Sequence, residues 1–358
     1  KEGARTHAPT DGCHPDRSGG AGGAPIGAEH PTPPHGAHSL TVNSTSHRNI
    51  LAANTRCAPR TALRSQPPSG SDELRNMRRR EAPAPVPRAG HSATVIPYYD
   101  QEAILVLGGF DGDAVLPLDE AHVFVPALER WEELDARPPM GAAGAAPPAP
   151  RAMHAAAMLG PTLIVHGGWG GEDVLRQDTC LLHLADAEPR WEAPSQRLAL
   201  VATPSARQGH TLVEAPEDTE DRRIAANDAA AQGAPPPPPH KPQVLLFGGD
   251  TGEDVSNELW SLTLTPDGEQ LVWSLLAPTG AAPAARTGHV ALILPTSGSG
   301  APPGGHMLIF GGRAANGQAF NDMHLFSIGR QRWSQPRVNG DVPRPRWACA
   351  CCVLPSGG

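Results

Sequence analysis

The sequence Arg286-Thr287-Gly288-His289, followed by Met307-Leu308-Ile309-Phe310-Gly311-Gly312, decides the fold, because its pattern recurs along the chain. An arginine and a histidine precede a first apolar stretch, and a second apolar run ends in two glycines. An acid, Asp322, and then a tryptophan, Trp333, follow the glycine pair. Similar segments occur upstream, so the chain contains internal repeats of one structural unit.

Four units carry these markers in the same order, and the spacing from glycine pair to tryptophan is nearly constant among them. The spacing between successive arginines varies more, and the added length lies between the first two apolar stretches. The arginines are Arg88, Arg151, Arg207 and Arg286; the acids are Glu120, Asp178, Glu258 and Asp322. The glycine pairs are Gly108 and Gly109, Gly167 and Gly168, Gly248 and Gly249, and Gly311 and Gly312. The tryptophans are Trp131, Trp191, Trp273 and Trp333.

Each unit predicts four short strands, because it holds four short stretches rich in branched or aromatic residues and bounded by turn formers. Four strands in roughly 50 residues is typical of a β-propeller blade. A fifth unit begins at Arg346 and ends after its first predicted strand, Ala348–Leu354. Unit one already has its own first strand, so the extra strand is not needed to close a four-bladed ring. We therefore expect an all-β fold of four complete blades plus the first strand of a fifth, and a fragment of a larger ring.

The composition divides the chain into a tail and a globular part. Gly and Pro number 39 and 41 of 358 residues and aromatic residues make up 4%, which excludes a coiled coil or helical bundle. Residues 1–80 hold eleven basic and six acidic residues and show no apolar period, which predicts a disordered basic tail. Residues 81–358 hold eighteen basic and thirty-one acidic residues and form the predicted propeller. Residues 214–242, including Pro235–Pro239, are predicted to be a disordered insertion that serves as a spacer or as an extended proline-rich ligand.

The glycine pair, the acid and the spaced tryptophan resemble kelch repeats over residues 82–355. The leading Arg-x-Gly-His form is similar to that of host cell factor-like and Rab9 effector-like kelch proteins. The resemblance implies a kelch β-propeller in which the repeat markers are structural. It also implies that partners contact residues just after the glycine pairs. The matching positions are Phe110, Asp111, Trp169, Asp250 and Arg313; Gln208 and Thr287, one past a repeat arginine, are further candidates, and ordinary turn residues are the alternative for each.

No catalytic constellation is found in the sequence, so we predict no enzymatic activity, metal or cofactor for this segment. The repeated histidines His91, His154, His210 and His289 would suit either a metal ring or a structural strand-start position, and the periodicity favours the second. Copper oxidases with kelch-like propellers need separate tyrosine ligands, whereas this chain has only the adjacent Tyr98 and Tyr99. The glycine-rich stretches are followed by strands and not by the helix that a phosphate-binding loop requires.

The expected function is that of a non-enzymatic protein-interaction scaffold or adaptor, located in the cytoplasm or alternatively in the nucleus. A regulatory propeller of a larger enzyme, such as a kelch-containing phosphatase, or of a ubiquitin-ligase adaptor is the alternative. The predicted partners are proteins or peptides. The acidic propeller is a poor candidate for nucleic acid, although the basic tail offers a solvated arm or a contact for nucleic acid or an acidic membrane. The sequence contains no run of eighteen apolar residues, so it predicts no membrane-spanning helix.

Overall fold

The computed structural model describes residues 80–99, 101–136, 147–184, 189–192, 202–215, 243–265, 270–294 and 305–353. The predicted tail, apart from Arg80, and residues 216–242 of the predicted insertion lie outside these ranges. The described residues form strands connected by turns, and one 3-10 turn, Pro126–Leu128, is the helical element among them. No described helix has the length and apolar character needed to cross a bilayer.

Four sheets contain the predicted blades, each with four antiparallel strands in chain order, so the predicted fold is confirmed. Blade 1 consists of β2 (Ser92–Tyr98), β3 (Gln101–Leu107), β4 (Ala121–Val125) and β5 (Arg130–Leu134), and blade 2 of β6 (Ala155–Leu159), β7 (Thr162–His166), β8 (Thr179–His183) and β9 (Arg190–Glu192). Blade 3 consists of β10 (Thr211–Ala215), β11 (Gln243–Phe247), β12 (Leu259–Leu264) and β13 (Leu271–Leu276), and blade 4 of β15 (Val290–Leu294), β16 (His306–Phe310), β17 (Met323–Ser327) and β18 (Arg332–Ser334).

Two short strands extend the outer edges of blades 1 and 4, and the repeat pattern did not predict them. β1 (Arg80–Glu81) pairs antiparallel with β5, and β14 (Thr279–Gly280) pairs parallel with β18. Each covers backbone groups of a last blade strand that would otherwise be an open edge.

The second strand of each inner blade is buried along nearly its whole length because both of its faces meet a neighbouring blade. In β11, Val244 and Leu246 belong to the core cluster between blades 2 and 3, whereas Leu245 and Phe247 belong to the cluster between blades 3 and 4. Successive side chains of a strand point to opposite faces, so one strand serves two interfaces. The core therefore consists of three wedge-shaped clusters between successive blades.

Three of the four repeat tryptophans fill these wedges. Trp273 of blade 3 is buried against blade 2, where its indole N–H donates to Thr179 Oγ1 at 3.2 Å. Trp333 of blade 4 lies 5.4 Å from the ring of Phe247 in blade 3, and Trp191 joins the cluster shared with blade 1. Trp131 of blade 1 is only half-buried and contacts Phe124 of its own blade at 5.2 Å.

The fifth unit starts in the repeat geometry, although its predicted strand is not formed over the described residues 348–353. Arg346 Nε donates to Arg344 O at 3.0 Å, the bond that each earlier repeat arginine makes to the carbonyl two residues before it. Ala348 has φ +51°, close to the values of Gly90, Met153, Gly209 and Gly288 at the same repeat position. A first strand pairs with the second strand of its own blade, and no described residue supplies that partner.

The first glycine of each pair is required by close packing as well as by conformation. Gly248 has φ +67°, and a Cβ there would lie 2.6 Å from the carbonyl oxygen of Arg286 in the next blade. A Cβ added to Gly108 would likewise lie 2.6 Å from the carbonyl oxygen of Arg151, and one added to Gly167 would lie 2.6 Å from that of Arg207. These glycines let successive blades approach each other to backbone contact.

The change Gly248→Ala should lower the free energy of unfolding by about 2–4 kcal/mol, because it adds a backbone clash to the strain of a positive φ. Gly317→Ala is the matched control, since Gly317 has φ +81° but nothing within 4 Å of its added Cβ. The control should cost only about 1 kcal/mol. Urea unfolding of both variants measures the difference, and equal losses would show that blade spacing does not depend on Gly248.

Candidate interaction face

The repeat arginine fixes the end of each blade where the second strand turns back. In blade 4, Arg286 Nη1 donates to the carbonyl of Gly311 at 2.9 Å, and Nε donates to the carbonyl of Ala284 at 2.9 Å. Both guanidinium ends also contact the Asp322 carboxylate, at 2.7 and 2.9 Å. The Arg286 side chain is fully buried, so these partners replace the water that a guanidinium would otherwise bind.

The same arrangement recurs in blades 2 and 3, where the repeat arginine again pairs with the acid of its own blade. Arg151 contacts Asp178 at 2.7 Å and Arg207 contacts Glu258 at 2.6 Å, and both arginines are fully buried. Burial opposes ionisation of Asp322, but hydrogen bonds from Arg286 and His324 lower the pKa of this carboxyl group to about 2. In blade 1, Arg88 is half-exposed and keeps the bonds to the carbonyls of Val86 and Gly108.

The backbone of each repeat arginine joins two blades. Its carbonyl accepts a hydrogen bond from the second glycine of the preceding blade, at 2.8–3.0 Å from Gly109, Gly168, Gly249 and Gly312. Two residues further along, Met153 N donates to Gly90 O, Gly209 N to Met153 O, Gly288 N to Gly209 O, and Ala348 N to Gly288 O. These bonds, at 2.7–2.9 Å, link all five units in one continuous series.

The predicted partner-binding residues lie on the face that these bonds hold in place. In every blade the residue after the arginine pairs with the residue after the glycine pair, through two backbone hydrogen bonds of 2.7–3.0 Å. The scaffold is thus the same in each blade, whereas the side chains that it presents differ. The pairs are Ala89 with Phe110, Ala152 with Trp169, Gln208 with Asp250, and Thr287 with Arg313.

Phe110 and Trp169 are brought together by the structure, although they belong to different repeats of the sequence. Their ring centroids are 5.8 Å apart in an edge-to-face arrangement. They line an open pocket of about 470 Å³ between the turns of blades 1 and 2, together with Val115, Pro150 and Val174. A pocket of this size with aromatic walls is typical of a site for a small group or a peptide side chain.

Asp111 and Asp250 each contribute to the turn in which they stand. Asp111 Oδ1 accepts hydrogen bonds from the backbone of Asp113 at 2.9 Å and Ala114 at 2.8 Å. These backbone donors lower the pKa of the exposed Asp111 carboxyl group. Asp250 Oδ1 accepts one such bond from Gly252 at 2.9 Å. A turn role therefore exists for both residues beside any role in binding.

The remaining candidates differ in accessibility. Thr287 is buried, and its hydroxyl lies 3.4 Å from the carbonyls of Gln208 and Gly209 in the preceding blade. Gln208 is half-buried. Arg313 stacks its guanidinium 4.6 Å from the ring centroid of Trp347, which stands one past the fifth repeat arginine. Trp347 is thus a face residue that the sequence reasoning missed, although its place in the repeat pointed to it.

Asp113 and Glu172 are two further face residues that the sequence did not single out. Both are exposed, and both line the mouth of the pocket beside Phe110 and Trp169. They stand in the turns that follow the glycine pairs, so their position after the pair was the signal available. Their charges make this part of the face acidic.

Two of the four repeat histidines connect neighbouring blades through hydroxyl groups, which is a structural role. His154 Nε2 lies 2.9 Å from Ser92 Oγ, and His289 Nε2 lies 2.9 Å from Thr211 Oγ1. Each partner is the residue after the repeat histidine of the preceding blade. Among the described residues, no group of three or more histidine, cysteine or acidic side chains has an arrangement suited to a metal ion.

His210 occupies the same place, but its neighbour in the preceding blade is Ala155, which has no hydroxyl. Its Cε1 would lie 2.8 Å from a Cβ on Gly167, against 2.9 Å for His154 at Gly108 and for His289 at Gly248. Within the described part of the chain, neither ring nitrogen of His210 has a hydrogen-bond partner. The missing hydroxyl accounts for the unpaired Nε2.

Ala155→Ser should therefore stabilise the protein by about 1 kcal/mol, because it supplies the hydroxyl that the equivalent histidines use. Ala157→Ser, two residues along the same strand and equally buried, is the control and should be neutral or destabilising. Urea unfolding gives both values. A gain for Ala157→Ser as large as that for Ala155→Ser would contradict the pairing.

Stability should fall as the pH drops from 7 to 5.5. Burial lowers the pKa of His154, His166 and His289 to about 3 and holds the pKa of His210 well below its usual range. These histidines stay neutral in the fold but take up protons near pH 6.5 when unfolded, so their contribution is complete above that pH and is lost on acidification. Each should cost about 1 kcal/mol over this interval, before the carboxylates titrate. Thermal unfolding at stepped pH measures the loss, and a constant melting temperature would disprove it.

Comparisons with known proteins agree with this geometry. The family described as the KLHDC2/KLHL20/DRC7 Kelch-repeats domain matches residues 238–357. The rice protein Adagio-like protein 1 is 29% identical over 292 residues, covering 76% of this chain and 38% of that protein. Human Host cell factor 2 is 26% identical over 274 residues, covering 73% of this chain and 29% of that protein. The Arabidopsis Acyl-CoA-binding domain-containing protein 4 is 29% identical over 104 residues, covering 29% of this chain and 14% of that protein. The chain therefore spans less than two fifths of the length of these relatives.

Proposed function

Because this chain is a kelch-repeat protein, we propose that it is a non-enzymatic scaffold or adaptor that binds partner proteins through the face formed by the repeat arginines and glycine pairs. Function in such folds depends on the loops that the scaffold displays. The face presents residues of different character at equivalent positions.

One observation carries this proposal: the backbone of the face repeats in all four blades, but its side chains do not. Paired bridges hold Phe110, Trp169, Asp250 and Arg313 at one position of the repeat. An aromatic pair lies at blades 1 and 2, and a guanidinium on an indole lies at blade 4. Aromatic residues and arginine are the side chains that most often dominate binding energy in protein interfaces.

A second candidate is a regulatory propeller within a larger protein, either an enzyme such as a phosphatase or a ubiquitin-ligase adaptor. The observation that favours it is that the match to Adagio-like protein 1 covers only 38% of that protein, so the relative has further segments outside the matched region. The Arabidopsis relative is named for an acyl-CoA-binding domain, and the match covers 14% of that protein. In this case the same face would bind a substrate or another domain.

Affinity capture with the full chain tests the proposal. Trp169→Ala and Arg313→Ala should each remove at least one captured partner, because each deletes a side chain with a large contact surface. Leu128→Ala is the control, since Leu128 is 45% exposed and follows β4, at the opposite end of its blade from the glycine pair. Quantitative mass spectrometry of the captured proteins measures the loss, and melting temperatures confirm folding.

Two outcomes would overturn the proposal. Unchanged capture by both face variants would show that this face does not bind the partners. Loss of partners with Leu128→Ala alone would assign binding to the opposite end of the blades.

A further inference from the structure

We propose that the pocket between the turns of blades 1 and 2 binds a short segment of a partner protein that carries an apolar side chain beside an arginine or lysine. The inference rests on the proposed function and names the chemistry that one part of the face recognises. It joins three observations: the apolar walls, the acidic mouth and the conformation of the blade 2 turn.

The walls of the pocket are apolar and come from two blades. Phe110 and Val115 lie on the blade 1 side, and Trp169 and Val174 lie on the blade 2 side. Phe110 pairs with Val115 and Trp169 with Leu175 through backbone bridges, so each wall stands on a small, hydrogen-bonded hairpin. An aliphatic side chain of the partner that packed against the two rings in the open pocket would gain burial and aromatic contact without a change in the backbone.

The mouth of the pocket is negative. Asp113 on the blade 1 turn and Glu172 on the blade 2 turn flank it, and both are exposed. A cation held there would meet the carboxylates and the face of the Trp169 ring, which attracts positive charge. The opposite charge at the mouth therefore selects a basic residue over an acidic one.

The turn that carries Glu172 has an uncommon backbone. Val174 N donates to Gly171 O at 2.9 Å, and the two central residues, Glu172 and Asp173, have φ +43° and +53°. Glycine or asparagine usually occupies such positions, because other side chains are strained there. Glu172 has this strained backbone and places its carboxylate at the pocket mouth. Strained residues are often found at functional sites.

Among the described residues, Arg176 is a cation that contacts the lining of the pocket, and its hydrogen bond holds it in place. Arg176 Nε donates to the carbonyl of Pro150 at 3.2 Å, and its guanidinium lies against the backbone of Gly170, where an added Cβ would meet it at 2.7 Å. Arg176 is thus held by two residues of the pocket lining, Pro150 and Gly170. At blade 4 the guanidinium of Arg313 already lies over the ring of Trp347, so this ring is less available to a basic residue of a partner than that of Trp169.

Three short fluorescein-labelled peptides on a glycine-serine background test this assignment by anisotropy with the full chain. The first contains leucine next to arginine, the second leucine next to glutamate, and the third serine next to arginine. The leucine-arginine peptide should bind at least about tenfold more tightly than either of the others, since only it satisfies both walls and mouth. Trp169→Ala should weaken it by about tenfold or more.

A pair of double variants separates local charge from the acidity of the whole chain. Asp113→Asn with Glu172→Gln should abolish the preference for arginine over glutamate and reduce the dependence of binding on salt. Glu253→Gln with Asp341→Asn removes the same charge from exposed acids outside the pocket and should leave the preference intact.

The assignment is overturned if the leucine-arginine peptide fails to bind up to about 1 mM, if it binds no better than the glutamate peptide, or if both double variants act alike. If the peptide assay fails in one of these ways but Arg313→Ala still removes a partner in affinity capture, the proposed function is retained and only the assignment of the pocket is rejected. Capture that depends on neither Trp169 nor Arg313 is the separate failure of the proposed function.

Discussion

The interaction on which the rest of the structure depends is the double attachment of the repeat arginine. Its side chain ties the start of a blade to the first glycine carbonyl and to an acid of the same blade. Its backbone carbonyl binds the second glycine of the blade before it. Arg151, Arg207 and Arg286 are fully buried, and a buried guanidinium that loses one charged partner costs about 3–5 kcal/mol. In blades 2 to 4 the arginine and the acid therefore recur together, because loss of the acid would leave the buried guanidinium without its charged partner.

The packing between blades follows from the same constraint. Once the arginine and glycine backbones set the spacing, one wedge remains between each pair of blades, and an indole fills it. His166 shows how far the wedge tolerates change. It stands where blade 3 has Phe247, and both rings lie edge to face against the next repeat histidine and close to the next repeat tryptophan. The imidazole of His166 packs at this position as the phenyl ring of Phe247 does. Burial lowers the pKa of His166, so the imidazole stays neutral.

The sequence predicted the blades because their markers serve the scaffold and so repeat at fixed distances. Arg286, Gly311 and Trp333 were predicted to be structural markers, and in the structure Arg286 donates to the Gly311 carbonyl and Trp333 is buried. The short strands β1 and β14 were not predicted, because each has two residues and follows from an available edge rather than from a period. The pocket was not predicted: Phe110 and Trp169 were chosen separately by position, and their contact depends on two blades lying side by side. Asp113 and Glu172 were missed because they stand about four residues after a glycine pair, beyond the candidate positions directly after the pair. The assignment of all these residues to binding stays a prediction.

The series of hydrogen bonds from Gly90 through Met153, Gly209 and Gly288 to Ala348 has a consequence for molecular recognition. Because this series ties neighbouring units through the backbone, a partner of the proposed face would meet a surface already in its bound form. Little conformational entropy would be lost on the propeller side of such a complex. Discrimination between partners would then depend on the few outward side chains, so single substitutions would exchange one partner for another without a change in the backbone beneath them.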